Sequence, residues 1–546
     1  MLNIRTSETD PLQIATITFP WLPGRIGLTF CPGKKGESTF GGPWQRDLET
    51  DLAVIRDWGA SCLVTLMEEH ELSLLQVEEL PEAARRHGLH WLHLPIRDLD
   101  VPGESWLKDW RQENGPELRD RLVDGERILI HCRGGLGRTG LVGALLLRDL
   151  GLEADEAIRL VRRVRPNAIE TREQEQFVRS YRSWAGRQSY RHFLGCLLGG
   201  ALGDALGWPI EFTPLDGIRK KYGPQGITGP KPNAKGIVEV TDDTQMSLFT
   251  AEGILLAYQR FRDRGTGPLF DVITWEAYQR WLQTQSRQRP RNPEKVMAPG
   301  WLLREPALYA RRAPGEACTS ALEAGIQGTM HRPVNDSKGC GTVMRIAPSG
   351  LFVCSPSACR SLGKRAVNQE AFRLGCELSA LTHGHPSGYL AGGFLALLIG
   401  RLIMGDSLEE AITTAREELI KHQGHEEVAE AIDRAFKVYA ETRDNPSAQA
   451  VEQIGEGWVA EEALAIAIYC CLCHPDSFEK AVLLAVNHSG DSDSTGAITG
   501  NIMGALLGID GIPDAWLENL ELADTIRDMA RRLFCCDAET PGVPAV

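Results

Sequence analysis

The sequence predicts a multidomain chain, with an N-terminal α/β domain on a mostly parallel central sheet and a C-terminal all-α domain. Three observations predict it. Short apolar runs alternate with amphipathic helical stretches up to about residue 186. From about Tyr190 the strand signal nearly vanishes into long Ala-, Leu- and Gly-rich helical segments. Within those segments glycine recurs at every fourth position in two separate places. The expected domains are 1–186 and 190–535, followed by a flexible tail over 537–546.

Ala15 to Phe19, Ser61 to Leu66, His90 to Leu94 and Arg127 to Ile130 read as strands, each short and bounded by turn or polar residues. Trp44 to Trp58 and Gln76 to Arg86 read as amphipathic helices between them. In the second half, Gly195, Gly199, Gly203 and Gly207 form one four-residue series, and Gly496, Gly500, Gly504 and Gly508 form another. Four-residue spacing puts each series on one helix face. Glycine costs roughly 1 kcal/mol per helical position relative to alanine. The expected compensation is close packing of these two helices, which would bring their acidic ends together.

Apolar residues make up 42% and charged residues 24% of the 546, ordinary globular usage with material for two cores. A formal net charge of −14 argues against general binding to nucleic acid or anionic membrane. Without a run of about 18 uninterrupted apolar residues, no membrane span is expected. The N-terminal stretch from Met1 to Gln13 has no signal-peptide core. Fourteen scattered cysteines are expected as reduced thiols of a cytoplasmic protein. Cys470, Cys471 and Cys473 lie in an apolar helical run and suit no zinc ligand set.

The most specific local signal is His131-Cys132-Arg133-Gly134-Gly135-Leu136-Gly137-Arg138-Thr139-Gly140, between a strand and the helix Leu141 to Leu150. A Gly-rich turn can aim successive backbone N–H groups at one anion, and the helix N-terminus adds partial positive charge. The same field favours thiolate over thiol at Cys132. Arg138 can grip two phosphate oxygens at once. Thr139 can hydrogen-bond the sulfur. Residues 133–138 are the expected phosphate cradle.

This loop resembles the active site of the dual-specificity/tyrosine phosphatases, most closely those of the cyclin-dependent kinase inhibitor 3 type. Leu28 to Gly33, Trp58-Gly59-Ala60, Leu63 to Leu66, Leu94 to Asp98 and Ala168 to Thr171 extend the resemblance over about residues 1–185. It implies Cys132 as nucleophile, Arg138 as phosphate ligand and a cysteinyl-phosphate intermediate without any cofactor. Asp98 matches the general acid, with Asp100 close enough to replace it. Gln174 matches a residue that places the hydrolytic water. The implied substrate is a phosphorylated protein or a small phosphoester.

The C-terminal half carries two acidic clusters, Thr241-Asp242-Asp243-Thr244 and Gly490-Asp491-Ser492-Asp493-Ser494-Thr495-Gly496. Carboxylates and hydroxyls are hard ligands that suit Mg²⁺ or Mn²⁺. Asp-rich turns also serve simply as helix N-caps. Gly199 to Gly207 with Glu211, Gly339 to Arg345, Leu381 to Pro386 and Asn487 to Thr495 occur around them in order. Together these segments resemble the ADP-ribosylglycohydrolase family over about residues 190–535. The resemblance implies two Mg²⁺ ions, with Mn²⁺ as the alternative, held by Thr241, Asp242, Asp243, Asp491, Asp493 and Ser494. Glu211 matches a catalytic glutamate near the metals. Gly341, Thr342 and Arg345 are expected against the ribose or pyrophosphate, although Arg345 also reads as a structural ion-pair partner. His383 and His385 read as structural more than as ligands. Cys340 departs from relatives that carry asparagine there, and Asp336 stands near an acidic family position in uncertain register.

The implied reaction is removal of ADP-ribose from a modified side chain, arginine first, with serine-linked or O-acetyl-ADP-ribose still open. Two hydrolytic halves suggest a double eraser. Sequential action on a phosphorylated ADP-ribose, or one half serving only to bind, are the alternatives.

Overall fold

The computed structural model describes residues 4–37, 42–183, 185–265, 267–286, 300–362 and 366–538. The chain divides into two compact units, Met1–Gly186 and Arg187–Val546. The expected tail lies, from residue 539 on, outside the described residues.

The first unit is built on a five-stranded sheet in the order Ala15–Phe19, Leu22–Phe30, Arg127–Cys132, Cys62–Thr65, His90–His93. The first pair is antiparallel and the other three pairings are parallel. Arg127–Cys132 is central, and its Leu129 and Ile130 are fully buried. Central burial on both faces explains its uninterrupted apolar run. Leu22–Phe30 gave no strand signal because Pro23, Gly24 and Gly27 interrupt it. The glycines are packing requirements: a Cβ on Gly27 would lie 2.8 Å from Ile14 Cγ2 and 2.9 Å from Trp58 Cη2.

Three helix expectations are corrected. Helix Leu48–Asp57 starts after Asp47, whose carboxylate accepts from Thr50 N at 2.8 Å. Trp44–Gln45 instead pairs with Lys35–Gly36. The stretch expected as helix from Gln76 is helical only over Leu80–Arg86, behind a separate helix Glu69–Leu74. Gln76 lies between them with φ 53°, a left-handed conformation that interrupts helix. The helix expected from Leu141 begins earlier, at Gly137, and runs to Asp149.

The second unit is helical. Its centre is the pair Tyr190–Gly207 and Ser492–Leu507. The two glycine series face each other: a Cβ on Gly203 would fall inside Gly496 O, one on Gly199 inside Gly500 O, and one on Gly504 inside Gly195 O. This ordering is antiparallel, so Gly207 at the end of the first helix meets Ser492 and Asp493 at the start of the second. Asn501 donates from Nδ2 to Cys196 O at 2.8 Å and fixes the register. Pro386–Ile403 is long and apolar enough to cross a membrane by composition, and 83% of that window is buried inside the unit. Cys470 and Cys471 are fully buried on helix Ala460–Cys473 as free thiols.

Candidate functional sites

In the first unit, the central strand ends at Cys132 and a tight turn leads into helix Gly137–Asp149. Gly135 has φ 71°, and a Cβ there would meet the Thr29 backbone at 2.5 Å, so glycine is required. Its N–H donates to Cys132 Sγ at 3.2 Å. The turn is braced by cations on its outer side. Lys34 Nζ donates to Arg133 O at 3.4 Å, and Arg165 donates to Gly135 O at 3.1 Å and Gly134 O at 3.4 Å. These bonds hold the Arg133, Gly134 and Gly135 carbonyls, while the Gly135 amide faces the Cys132 sulfur. Burial lowers the Lys34 ammonium to about 8.

Arg138 is buried, and its terminal nitrogens are already gripped. Nη1 and Nη2 donate to Glu71 at 2.6 and 2.8 Å, Nη1 donates to Ile96 O at 2.9 Å, and Nη2 lies 2.9 Å from Asp98 Oδ1. Nε is buried without a partner, as is Thr139 Oγ1. The expected two-pronged grip is therefore not open here, Nε alone being unpartnered, and the expected Thr139–sulfur bond is not made. Asp98 turns toward Arg138, whereas the Asp100 carboxylate accepts from its own loop, Val101 N, at 2.8 Å. Gln174 is fully buried beside Gly137. Its amide accepts from Glu170 N and donates to Asp100 O, tying the acid-bearing loop to the turn. His131 is held neutral, its imidazolium pushed down to about 3 by burial. Glu71, Lys34 and Arg165 were not legible in the sequence, because each is an ordinary charge far from the motif.

In the second unit, one helix seats both acidic clusters. Asp204, near the end of Tyr190–Gly207, accepts from Thr241 N at 3.0 Å and from Thr244 N at 3.1 Å. This holds Thr241 as N-cap of helix Asp242–Arg264. The glycine seam holds Asp491, the N-cap of Ser492–Leu507, at the same end. Both clusters thus occupy helix N-termini, where negative charge is favoured. Glu211, in the turn after Gly207, brings a carboxylate oxygen within 4.8 Å of those of Asp491 and Asp493.

The result is a nest of buried carboxylates. Burial is the leading cause of the raised values throughout. It carries Asp242 to about 8, and with Asp491 and Asp242 as neighbours it carries Glu211 to about 8. Asp243, Asp491 and Asp493 are raised for the same reason. Asp204 stands at about 6, burial outweighing its hydrogen bonds from Thr244 and Thr241. Asp243 Oδ2 and Glu211 Oε2 have no hydrogen-bond partner. Unpaired buried carboxylates are costly, and the donor set is hard oxygen, so the nest fits divalent cations.

The loop Gly339–Arg345 requires a correction. The side chains of Thr342 and Arg345 point into the interior rather than toward the nest. Thr342 Oγ1 donates to Gly388 O at 2.8 Å. Arg345 is fully buried, donates to Thr382 Oγ1 at 2.7 Å and Cys318 Sγ at 3.2 Å, and lies over the Tyr278 ring. A Cβ on Gly341 would sit 2.8 Å from Cys318 Sγ. Two residues of this loop reach the nest: Cys340, whose Sγ donates to Asp491 Oδ2 at 2.8 Å and lies 3.6 Å from Ser494 Oγ, and Met344, whose Sδ accepts from Ser494 Oγ at 3.9 Å. His383 is buried with Nδ1 2.9 Å from Thr382 Oγ1, and His385 caps helix Pro386–Ile403 through Ser387 N. Asp336 is exposed. Phe212, next to Glu211, has φ 61° and stacks on Trp458 at 5.1 Å. The loop of Trp458 packs against the nest through Glu456 O, which accepts from Asp491 N at 2.8 Å.

Comparison with known proteins yields two family matches. The ADP-ribosylglycohydrolase model matches residues 186–540, and the model described as Swiss Army Knife protein, DSP-PTPase phosphatase domain, matches residues 45–178. The ADP-ribosylarginine hydrolase Tri1 of Serratia proteamaculans is 27% identical, covering 62% of this chain and 78% of its own. The ADP-ribosyl-[dinitrogen reductase] glycohydrolase of Rhodospirillum rubrum is 27% identical over 60% of this chain and 90% of its own. Cyclin-dependent kinase inhibitor 3 of Rattus norvegicus is 31% identical over 32% of this chain and 81% of its own.

Proposed function

The chain belongs to the ADP-ribosylglycohydrolase family and carries a DSP-type phosphatase domain ahead of it, and from that premise we propose a double eraser. One site removes phosphate from a phosphorylated protein or small phosphoester, and the other releases ADP-ribose from modified protein side chains. One observation carries the reading: each site leaves buried polar atoms unpartnered, and they are of opposite kind. Arg138 Nε is a donor awaiting an anion, whereas Asp243 Oδ2 and Glu211 Oε2 are acceptors awaiting a cation.

In the phosphatase site, Cys132 attacks phosphorus and the phosphoester bond breaks as Asp98 protonates the leaving oxygen. Asp98 is favoured over Asp100 because its carboxylate lies beside Arg138. Water, deprotonated by Asp98, then hydrolyses the cysteinyl-phosphate. Arg138 Nε, Thr139 Oγ1 and the turn amides hold the phosphoryl oxygens. The site needs no cofactor.

In the glycohydrolase site, Thr241, Asp242, Asp243, Asp491, Asp493 and Ser494 would hold two divalent ions, Mg²⁺ or Mn²⁺. Bound there, such ions supply positive charge that orients hydroxyls and polarises water. Glu211 Oε2 takes the proton of the attacking water. The exposed Phe212 follows it in the chain and stacks on Trp458. The name of the Serratia relative, an ADP-ribosylarginine hydrolase, supports arginine as the linkage. Thiol usage without a secreted framework supports the cytoplasm as the compartment.

The test is a substrate panel with Mg²⁺ and with chelator. Phosphate release from p-nitrophenyl phosphate should ignore chelation, and ADP-ribose release from arginine-modified protein should stop. Chelator-resistant ADP-ribose release overturns the metal assignment. A chain active only on a phosphorylated ADP-ribose small molecule overturns the double eraser.

A further inference from the structure

Cys340 brings a thiol to the edge of the carboxylate nest. Its Sγ is 2.8 Å from Asp491 Oδ2 and 3.6 Å from Ser494 Oγ, both on residues assigned to the metals above. Metal–oxygen bonds near 2.1 Å and metal–sulfur bonds near 2.3 Å separate adjacent donors of one coordination shell by roughly 3 to 3.6 Å. The thiol has that spacing from Ser494 Oγ, and Asp491 Oδ2, its hydrogen-bond acceptor, is closer still. Its place is fixed by the backbone: Cys340 N donates to Trp458 O at 3.1 Å, and Gly339 bridges to Val459. A second observation points to a cation in the same nest, since Asp243 Oδ2 is buried without a partner.

We propose that Cys340 is a soft ligand position within the hard carboxylate nest, and that it lets the glycohydrolase site capture thiophilic divalent ions such as Cd²⁺, Co²⁺ or Zn²⁺ through sulfur. The inference rests on the metal reading of the nest. Oxygen donors bind Mg²⁺ and Mn²⁺ with little preference for sulfur, whereas thiolate ligands select softer ions. On capture, the S–H bond breaks, the proton leaves to solvent and a metal–sulfur bond forms. Cys340 thereby sets the metal preference of this chain's site. A thiophilic ion competes with the hard ion there.

The test uses the full chain, stripped by chelator and titrated with Co²⁺, then with Cd²⁺ and Mn²⁺ by calorimetry. Wild type and Cys132→Ser should develop a sulfur-to-cobalt charge-transfer band, and Cys340→Ser and Cys340→Ala should lack it. Cd²⁺ affinity should drop by roughly tenfold or more in both Cys340 variants. Mn²⁺ affinity should change by no more than about twofold, since its ligands are the oxygens. An undiminished band or unchanged Cd²⁺ affinity in both Cys340 variants overturns the inference. A wild-type chain that binds Mn²⁺ yet shows no band overturns it while leaving the metal reading standing. A chain that binds none of the three ions overturns both.

Discussion

Glu71 grips Arg138 through two hydrogen bonds of 2.6 and 2.8 Å, and both side chains are almost wholly buried. The pair fixes the guanidinium so that its Nε edge alone is left unpartnered. Glu71 comes from a helix 67 residues before Arg138 in the chain. It positions the arginine that we propose binds phosphate.

Removing Glu71 should therefore loosen phosphate binding without touching the nucleophile. Glu71→Ala leaves a buried charge unpaired, which costs about 3–5 kcal/mol. Glu71→Gln retains part of the grip and should fold, with KM for p-nitrophenyl phosphate rising more than kcat falls. Steady-state kinetics of the glutamine variant check this, and an unchanged KM contradicts it.

The same pair predicts acid sensitivity of the first unit. Burial raises the Glu71 carboxyl, but the hydrogen bonds from Arg138 outweigh it and hold the group below its ordinary value. A depressed carboxylate contributes stability above its unfolded pKa of about 4.3, lost as pH falls through the lower folded value. Amide protection factors in strand Arg127–Cys132 should fall below about pH 4.3 in wild type, and show less of this pH dependence in Glu71→Gln.

The carboxylate nest predicts the opposite slope for the metal-free second unit. Burial sets Asp242 at about 8, and burial with its acidic neighbours sets Glu211 at about 8. The folded chain then holds protons that the unfolded chain has released. Stability falls as pH rises from about 4 through about 8 and stays low above it. Melting in chelator should show a midpoint that drops across this range, and saturating Mn²⁺ should flatten the profile. A midpoint independent of pH in chelator counts against the nest.

The glycine seam should tolerate no side chain. Gly203→Ala or Gly500→Ala gains about 1 kcal/mol of helix propensity. Each drives a methyl group into the facing backbone, Gly496 O or Gly199 O. Overpacking costs roughly 1–3 kcal/mol and displaces the helix ends that carry Glu211 and Asp491. The expected result is a lower denaturant midpoint together with weaker Mn²⁺ binding.

The two activities should separate by point mutation. Cys132→Ser should abolish phosphate release and leave ADP-ribose release intact, and Asp491→Ala should do the reverse. Loss of both activities in either variant, with folding intact by circular dichroism, contradicts two independent sites.

Much of this molecule is written locally. The cysteine loop is one contiguous strand–turn–helix, so its pattern from His131 to Gly140 carries its own geometry. The two glycine series predict a close helix pair because only close backbone approach repays glycine in a helix, and the structure shows the pair antiparallel. The strand Leu22–Phe30 stayed hidden because its glycines answer to neighbours such as Trp58 that no local pattern names.

Two domains, their classes, the cysteine loop and the two acidic clusters were legible in the sequence alone, since each depends on residues a few positions apart. Tertiary structure alone decided which distant groups complete them. It turned Arg345 inward and Cys340 outward from one loop, put Glu71 behind Arg138, and used Asp204 and the glycine seam to converge both clusters on Glu211. The physical reason is that partners of a buried charge are chosen by proximity in space, and sequence spacing encodes proximity only within a helix turn or a strand.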